Sequence, residues 1–186
     1  TRGSGVVAKL GTDGQVFTST GAGLSQGFEA AAGGGKFASY AVIEDQKSDG
    51  TQGGTFTSGS YQIRNLNTEV FDVDGIVSVS SNQFTLAAGS YLIKWFANAK
   101  DVNGHQSALY DITASAYIEY GSTEQSLDAQ QVTNKSLGST RVTPSGSNVY
   151  EIRHRCDDTD NTEGYGQAAN YGNVESYCLV EIYKES

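Results

Sequence analysis

The chain has 186 residues, with 12 Lys and Arg against 21 Asp and Glu and a formal net charge of -9. That length supports one domain with its own core plus a short extra segment. The negative charge opposes a nucleic-acid partner, whose affinity comes from phosphate neutralisation, and the lack of any long apolar run or of a basic-then-apolar N-terminus argues against membrane insertion and a signal peptide.

Gly accounts for 23 residues and Pro for one, Pro144, a profile that favours strands joined by many tight turns. Met is absent and the sequence opens on Thr1, so it reads as a processed product or the C-terminal piece of a longer chain. Residues 1–36 hold little periodicity and close on Gly33, Gly34 and Gly35, the texture of a connector from an upstream region. Within it GQVF (14–17) reads as a short strand after the Asp13-Gly14 turn signal, with Val16, Phe17 and Phe28 available to dock on a neighbour. So few apolar side chains do not make a core by themselves.

From Phe37 to Ser186, β-branched and aromatic runs alternate with Gly, Asn, Asp and Ser clusters, which is the spacing of an all-β sandwich. The expected strands are 37–46, 60–67, 76–87, 90–99, 107–121 with a break near Thr113, 139–143, 149–156 and 176–184. In 90–99, Tyr91, Ile93, Trp95 and Ala97 share one face. Leu92 and Phe96 lie with Lys94 and Asn98 on the other, so this strand is expected to be central and buried on both sides. In 149–156, Tyr150, Ile152, His154 and Cys156 form a dry face against a wet face of Glu151, Arg153 and Arg155. The segment 122–138, with Glu124, Gln125, Gln130, Gln131 and Asn134, reads as a polar loop that serves either as a second recognition surface or as a plain connection. Cys156 and Cys178 fall in two different expected strands, which leaves both a disulfide and two buried free thiols open.

The stretch QFTLAAGSYLIKWFANA, with its Ala88-Gly89 turn, resembles the central hairpin of the tumour necrosis factor and complement C1q-like jelly-roll family, and SYCLVEIYKES resembles that family's final strand. The span 37–186 further resembles C-terminal domains of bacteriophage tail-fibre proteins of this type, notably in AVIEDQKSDGTQGGTFTSGSYQIRNLNTE and YEIRHRC, and DGQVFTSTGAG looks like fibre linker repeats. The resemblance implies a ten-stranded, two-sheet antiparallel jelly roll assembled as a homotrimer. It places that trimer at the virion surface, in the extracellular space, at the tip of a fibre whose connector joins other virion fibre or capsid proteins. Pro144 and the Asp-rich loop 157–173 depart from the simpler complement pattern, so loop-borne functions of the family do not transfer.

The residues point to binding rather than catalysis. His105 and His154 are the only imidazoles, and no nucleophile elbow, phosphate loop, zinc motif or cofactor fingerprint is present in the sequence. His154, between Arg153 and Arg155, reads as a packed or interface histidine, and His105, after the Asn103-Gly104 turn, as a solvated one. Asp157, Asp158, Asp160 and Glu163 are the dense carboxylate cluster, but one loop does not hold an acid and a base across a glycosidic bond, so a solvated acidic loop is the simpler reading. Asp158 and Asp160 ahead of Gly164 have a partial calcium-loop texture with the wrong offsets. Tyr165, Gln167, Asn170, Tyr171 and Asn173 offer aromatic faces and amides suited to sugars or protein surfaces, against the alternative that the tyrosines pack down to anchor the loop. The expected function is non-enzymatic attachment to a host cell-surface glycan or protein. A structural capsid-decoration or head-fibre role and a polysaccharide depolymerase are the alternatives.

Overall fold

The structure, a computed structural model, describes residues 15–18, 27–30, 35–127 and 131–186. The chain divides into two compact units, Thr1–Lys36 and Phe37–Ser186. In the first, β1 (Gln15–Thr18) pairs antiparallel with β2 (Gly27–Ala30). The first strand overlaps the expected GQVF segment (14–17) at residues 15–17, and the docking expected of the Val16, Phe17 and Phe28 side chains lies outside what the structure describes.

The second unit is a two-sheet antiparallel jelly roll. Its strands are β3 (Phe37–Lys47), β4 (Gln62–Ile63), β5 (Thr68–Phe71), β6 (Val77–Ser80), β7 (Gln83–Leu86), β8 (Tyr91–Lys100), β9 (Asn103–Asp111), β10 (Ala116–Ser126), β11 (Thr133–Val142), β12 (Asn148–Cys156) and β13 (Glu175–Glu185). One sheet runs β10-β9-β12-β7-β6, with β4 also on β12, and the other runs β11-β8-β13-β3-β5. There is no helix among the described residues.

The core lies between the sheets and follows from period-two alternation. Tyr91, Ile93, Trp95 and Ala97 of β8, Cys178, Val180 and Ile182 of β13, and Ala41 and Ile43 of β3 meet Phe84, Leu86, Leu109, Tyr150 and Ile152 from the opposite sheet. Trp95 is held with particular specificity. Its ring lies against Gly138, its register partner on β11, and its Nε1 donates to Ser107 Oγ at 2.9 Å across the sandwich.

Several expected elements are redrawn. The 76–87 segment is not one strand but the β6–β7 hairpin, turning at Ser81 and Asn82, whose φ values of 54° and 66° are those of a two-residue hairpin turn with the right-handed twist. Only Gln62–Ile63 of 60–67 pairs, because the chain then dives inward at Arg64. The 122–138 segment is largely strand: β10 runs to Ser126 and β11 begins at Thr133, while Gln130 lies outside the described residues. Serine hydroxyls join these polar strands where apolar contacts are lacking. Ser136 Oγ donates to the Ser122 carbonyl at 2.7 Å and accepts from Ser107 Oγ at 2.8 Å. The face of β12 expected to be wet is also mixed, since Glu151 is buried and paired with Arg153 at 2.6 Å.

A methyl group at Gly138 would overlap the Trp95 ring. Gly138→Ala is therefore expected to lower stability by about 1–3 kcal/mol, the usual cost of overpacking a rigid site, read from urea unfolding. An unchanged midpoint would show that Trp95 does not lock the sandwich.

Candidate functional site

The inner space is apolar at one end and polar at the other. The polar end is built on Arg64, which follows β4 and is fully buried. Its Nη1 donates to the Asn98 carbonyl at 2.7 Å and its Nη2 to the Tyr177 carbonyl at 2.8 Å, both in the opposite sheet, and its guanidinium lies 3.9 Å from the centre of the Tyr165 ring. Asp45 of β3 is also fully buried nearby, 3.3 Å from the Lys47 ammonium. Burial raises its pKa despite the opposing Lys47 and Arg64 charges.

Arg64 also reaches the two histidines. Its Nη1 is 3.4 Å from His154 Nδ1, and His154 Nε2 is 3.0 Å from His105 Nδ1. A guanidinium has donors only, so His154 Nδ1 accepts and the His154 proton sits on Nε2. That proton is donated to His105 Nδ1, which places the His105 proton on its own Nε2. This Nε2 is buried with no hydrogen-bond partner. Burial and the Arg64 charge keep both rings neutral. The pKa of His105 falls to about 4, against a smaller opposing pull from Glu124, and that of His154 falls well below its ordinary value. His154 is thus the packed histidine expected from its pattern. His105 is not the solvated side chain expected from its turn, because β9 starts at Asn103 and carries His105 onto the inner face, 3% exposed.

The expected recognition loop is split by the structure. Tyr165 is 8% exposed, its ring 4.6 Å from Phe56 on one side and against Arg64 on the other, and burial pushes its hydroxyl up to about 12. It anchors the loop and offers no free face. Gln167, Asn170, Tyr171 and Asn173 are exposed, Tyr171 at 86%. They sit on a backbone tied down by Glu175, whose carboxylate accepts from the Ala169, Asn170 and Gly50 amides, and by Asp49, which accepts from Gly172.

Three of the four loop acids, Asp158, Asp160 and Glu163, have hydrogen-bond partners. Asp160 Oδ1 accepts from the Thr162 and Glu163 amides at 2.9 and 2.7 Å; burial works against its ionisation, but these bonds bring its pKa below the usual range. Glu163 accepts from the buried Lys100 ammonium at 2.8 Å, and Asp158 accepts from Asn103 Nδ2. The groups arranged like a calcium loop are thus local turn acceptors, and among the described residues no cluster of three or more His, Cys, Asp or Glu side chains is arranged to hold a metal. Cys156 and Cys178 are both free and buried, on strands of opposite sheets, and burial raises each thiol to about 12.

The outward face of the five-stranded sheet is the other notable surface. Phe71 (46% exposed) and Leu137 (56%) stand there with the half-buried Leu92, Phe96, Leu179 and Tyr183. Phe96, Leu137 and Leu179 line a shallow depression of about 400 Å³ beside Trp95. The Lys135 ammonium lies 4.0 Å above the Phe96 ring, and Tyr40 and Tyr183 pack at 4.7 Å. The outward side of β8 is therefore half-covered rather than buried within one chain.

No known protein family matches the sequence, and no curated protein does. Solved structures do match. The Eiger TNF of S. frugiperda is similar at TM-score 0.51 and 9% identity, covering 79% of this chain and 92% of that one. The globular domain of zebrafish complement 1qA (TM-score 0.46, 11% identity, 78% and 95% covered) and murine APRIL at pH 8.5 (0.46, 9%, 78% and 98%) also match. The likeness to Eiger shows the fold: the chain carries a jelly roll of the TNF type.

Two outcomes follow from the polar end. Replacing Arg64 with Ala would strand the buried Asn98 and Tyr177 carbonyls and uncover the Tyr165 ring, so a loss of about 3–5 kcal/mol in urea unfolding is expected. A loss within a few tenths would contradict the staple. Because the folded pKa values of His105 and His154 are depressed, the unfolded chain binds more protons between about 4 and 6.5, and stability must fall as pH drops through that window. His154→Gln should flatten that part of the pH profile, and an unchanged slope would contradict neutral imidazoles.

Proposed function

We propose that this chain is the head of a homotrimeric, non-enzymatic attachment module at the distal end of a bacteriophage fibre, with residues 1–36 as the connector to other virion proteins and a host-surface glycan or protein as its target. The single observation that carries the trimer is the apolar outer face around Phe96, Leu137 and Leu179, which a lone subunit leaves half in water. Contiguous apolar surface of that kind marks an interaction site, and closed symmetry is the usual way to cover it without an open-ended filament. The fibre assignment rests on the resemblance of residues 37–186 to tail-fibre domains.

Recognition without bond cleavage is supported by the state of the loop carboxylates. Asp158, Asp160 and Glu163 are each held by a neighbouring donor, which does not suit an acid and a base facing one another across a substrate. The exposed tip at Gln167–Asn173 sits on a pinned backbone, the arrangement in which a loop recognises a partner without a large ordering cost.

Light scattering on the purified protein should return three times the chain mass of 19.7 kDa, and Leu137→Glu should shift it toward one chain mass while leaving the fold intact by circular dichroism. A wild-type monomer at micromolar concentration would remove the trimer. Saturable binding of the wild-type protein to host cells is expected; its absence would favour a decoration role, and new reducing ends from host polysaccharide would favour a depolymerase.

A further inference from the structure

An ion pair stands in the middle of the apolar outer face of the five-stranded sheet. The depression formed by Phe96, Leu137 and Leu179 has two charged side chains in its lining, Lys94 and Glu181. They are register partners on the adjacent strands β8 and β13, with Lys94 Nζ 3.9 Å from Glu181 Oε2. Period-two alternation brings both to the outer side, Lys94 between Leu92 and Phe96 and Glu181 between Leu179 and Tyr183. On the other flank of Glu181 the register partner is Val42 of β3, which is buried.

Glu181 is surrounded by donors. Its Oε1 accepts from the Tyr40 hydroxyl at 3.1 Å and from the Tyr183 hydroxyl at 3.2 Å. Burial, and then the bond to Glu181, push the Tyr40 hydroxyl up to about 12, and burial followed by the Glu181 charge raises that of Tyr183. Both phenols therefore remain donors throughout the range in which carboxylates titrate. The other charged groups around the pair are matched. Glu44 of β3 accepts from the Gln46 amide at 2.9 Å, Arg141 of β11 binds Glu185 of β13 at 2.6 Å, and Lys135 lies over the Phe96 ring. On a chain of net charge -9, a second copy meets little like-charge surplus at this face.

A second copy that covers the face takes the pair out of water. Two opposite charges side by side cancel much of each other's field, so a covered ion pair costs far less than one covered ion. A proton on Glu181 ends that cancellation. It leaves the Lys94 ammonium alone against apolar surface and weakens both phenol bonds, because a carboxylate is the stronger acceptor. Desolvation of the carboxylate acts in the opposite direction, favouring the neutral acid. The covered unit is the pair, however, and a cation stripped of its partner is the more costly state. Glu181 thus contributes affinity while ionised and withdraws it as pH falls through the carboxylate range.

We propose that the Lys94–Glu181 pair makes self-association through this face acid-sensitive, the subunits holding together with Glu181 ionised and parting when it takes up a proton. The inference rests on the homotrimer proposed above and names how that contact is regulated.

The test is a dissociation constant for the full chain from light scattering over a concentration series. At neutral pH, Glu181→Gln should raise it about tenfold or more, and adding Lys94→Met to Glu181→Gln should return it to the wild-type value or below. The wild type should lose mass as pH falls from about 7 to about 4.5, and the double variant should keep its mass over the same range. Circular dichroism at each pH separates release from unfolding, and the two variants read the same effect at neutral pH. An assembled wild type whose affinity is indifferent to Glu181→Gln, a double variant as weak as the single one, or a folded wild type that keeps its mass at about pH 4.5 would each overturn the acid switch and leave the trimer standing. A wild type that is monomeric at neutral pH would remove the trimer and the switch with it.

Discussion

The arrangement of the polar half of this sandwich depends on one buried guanidinium. Removing a cation from water costs several kcal/mol even after relaxation, so Arg64 is tolerable only where fixed acceptors surround it. The opposite sheet supplies two, the Asn98 and Tyr177 carbonyls, and Tyr165 covers the guanidinium face with its ring. Asp45 lies in the same region, where burial raises its pKa against the opposing pull of Lys47 and Arg64. Because these partners come from β8, β13 and the 157–174 segment, Arg64 joins elements that are far apart in sequence. It holds the sheets together where the apolar core ends.

The same charge decides the chemistry of the histidines. A cation next to His154 disfavours a second one, and a donor-only neighbour dictates which nitrogen is left to accept. The consequence passes through His154 to His105, whose proton is left on a buried Nε2. The outward face of the five-stranded sheet, carrying Phe96, Leu137 and Leu179, draws on apolar area instead, and it suits self-association.

How much of this was legible in the sequence depends on what each residue pairs with. Alternation in 90–99, 149–156 and 176–184 carried the core because apolar side chains meet apolar side chains, and the observed strands β8, β12 and β13 fall on those segments. Arg64 gave no sign, since its partners are backbone carbonyls and carbonyls are present at every position. His105 was misplaced because the Asn103 turn is real, with φ at 57°, but the strand begins within it. The serine-linked edges of β10 and β11 lack apolar alternation and so read as a loop. Tyr165 and Tyr171 share one Gly-rich segment, and only the fold separates an anchor from an exposed ring.

The most direct measurement of the account is the tautomeric state of the two imidazoles at neutral pH, read from long-range proton–nitrogen correlation spectra of the full chain. The relay requires both rings neutral, each with its proton on Nε2, and an exchange-protected Nε2 proton on His154. A proton on Nδ1 of either ring, or a doubly protonated imidazolium at neutral pH, would contradict it.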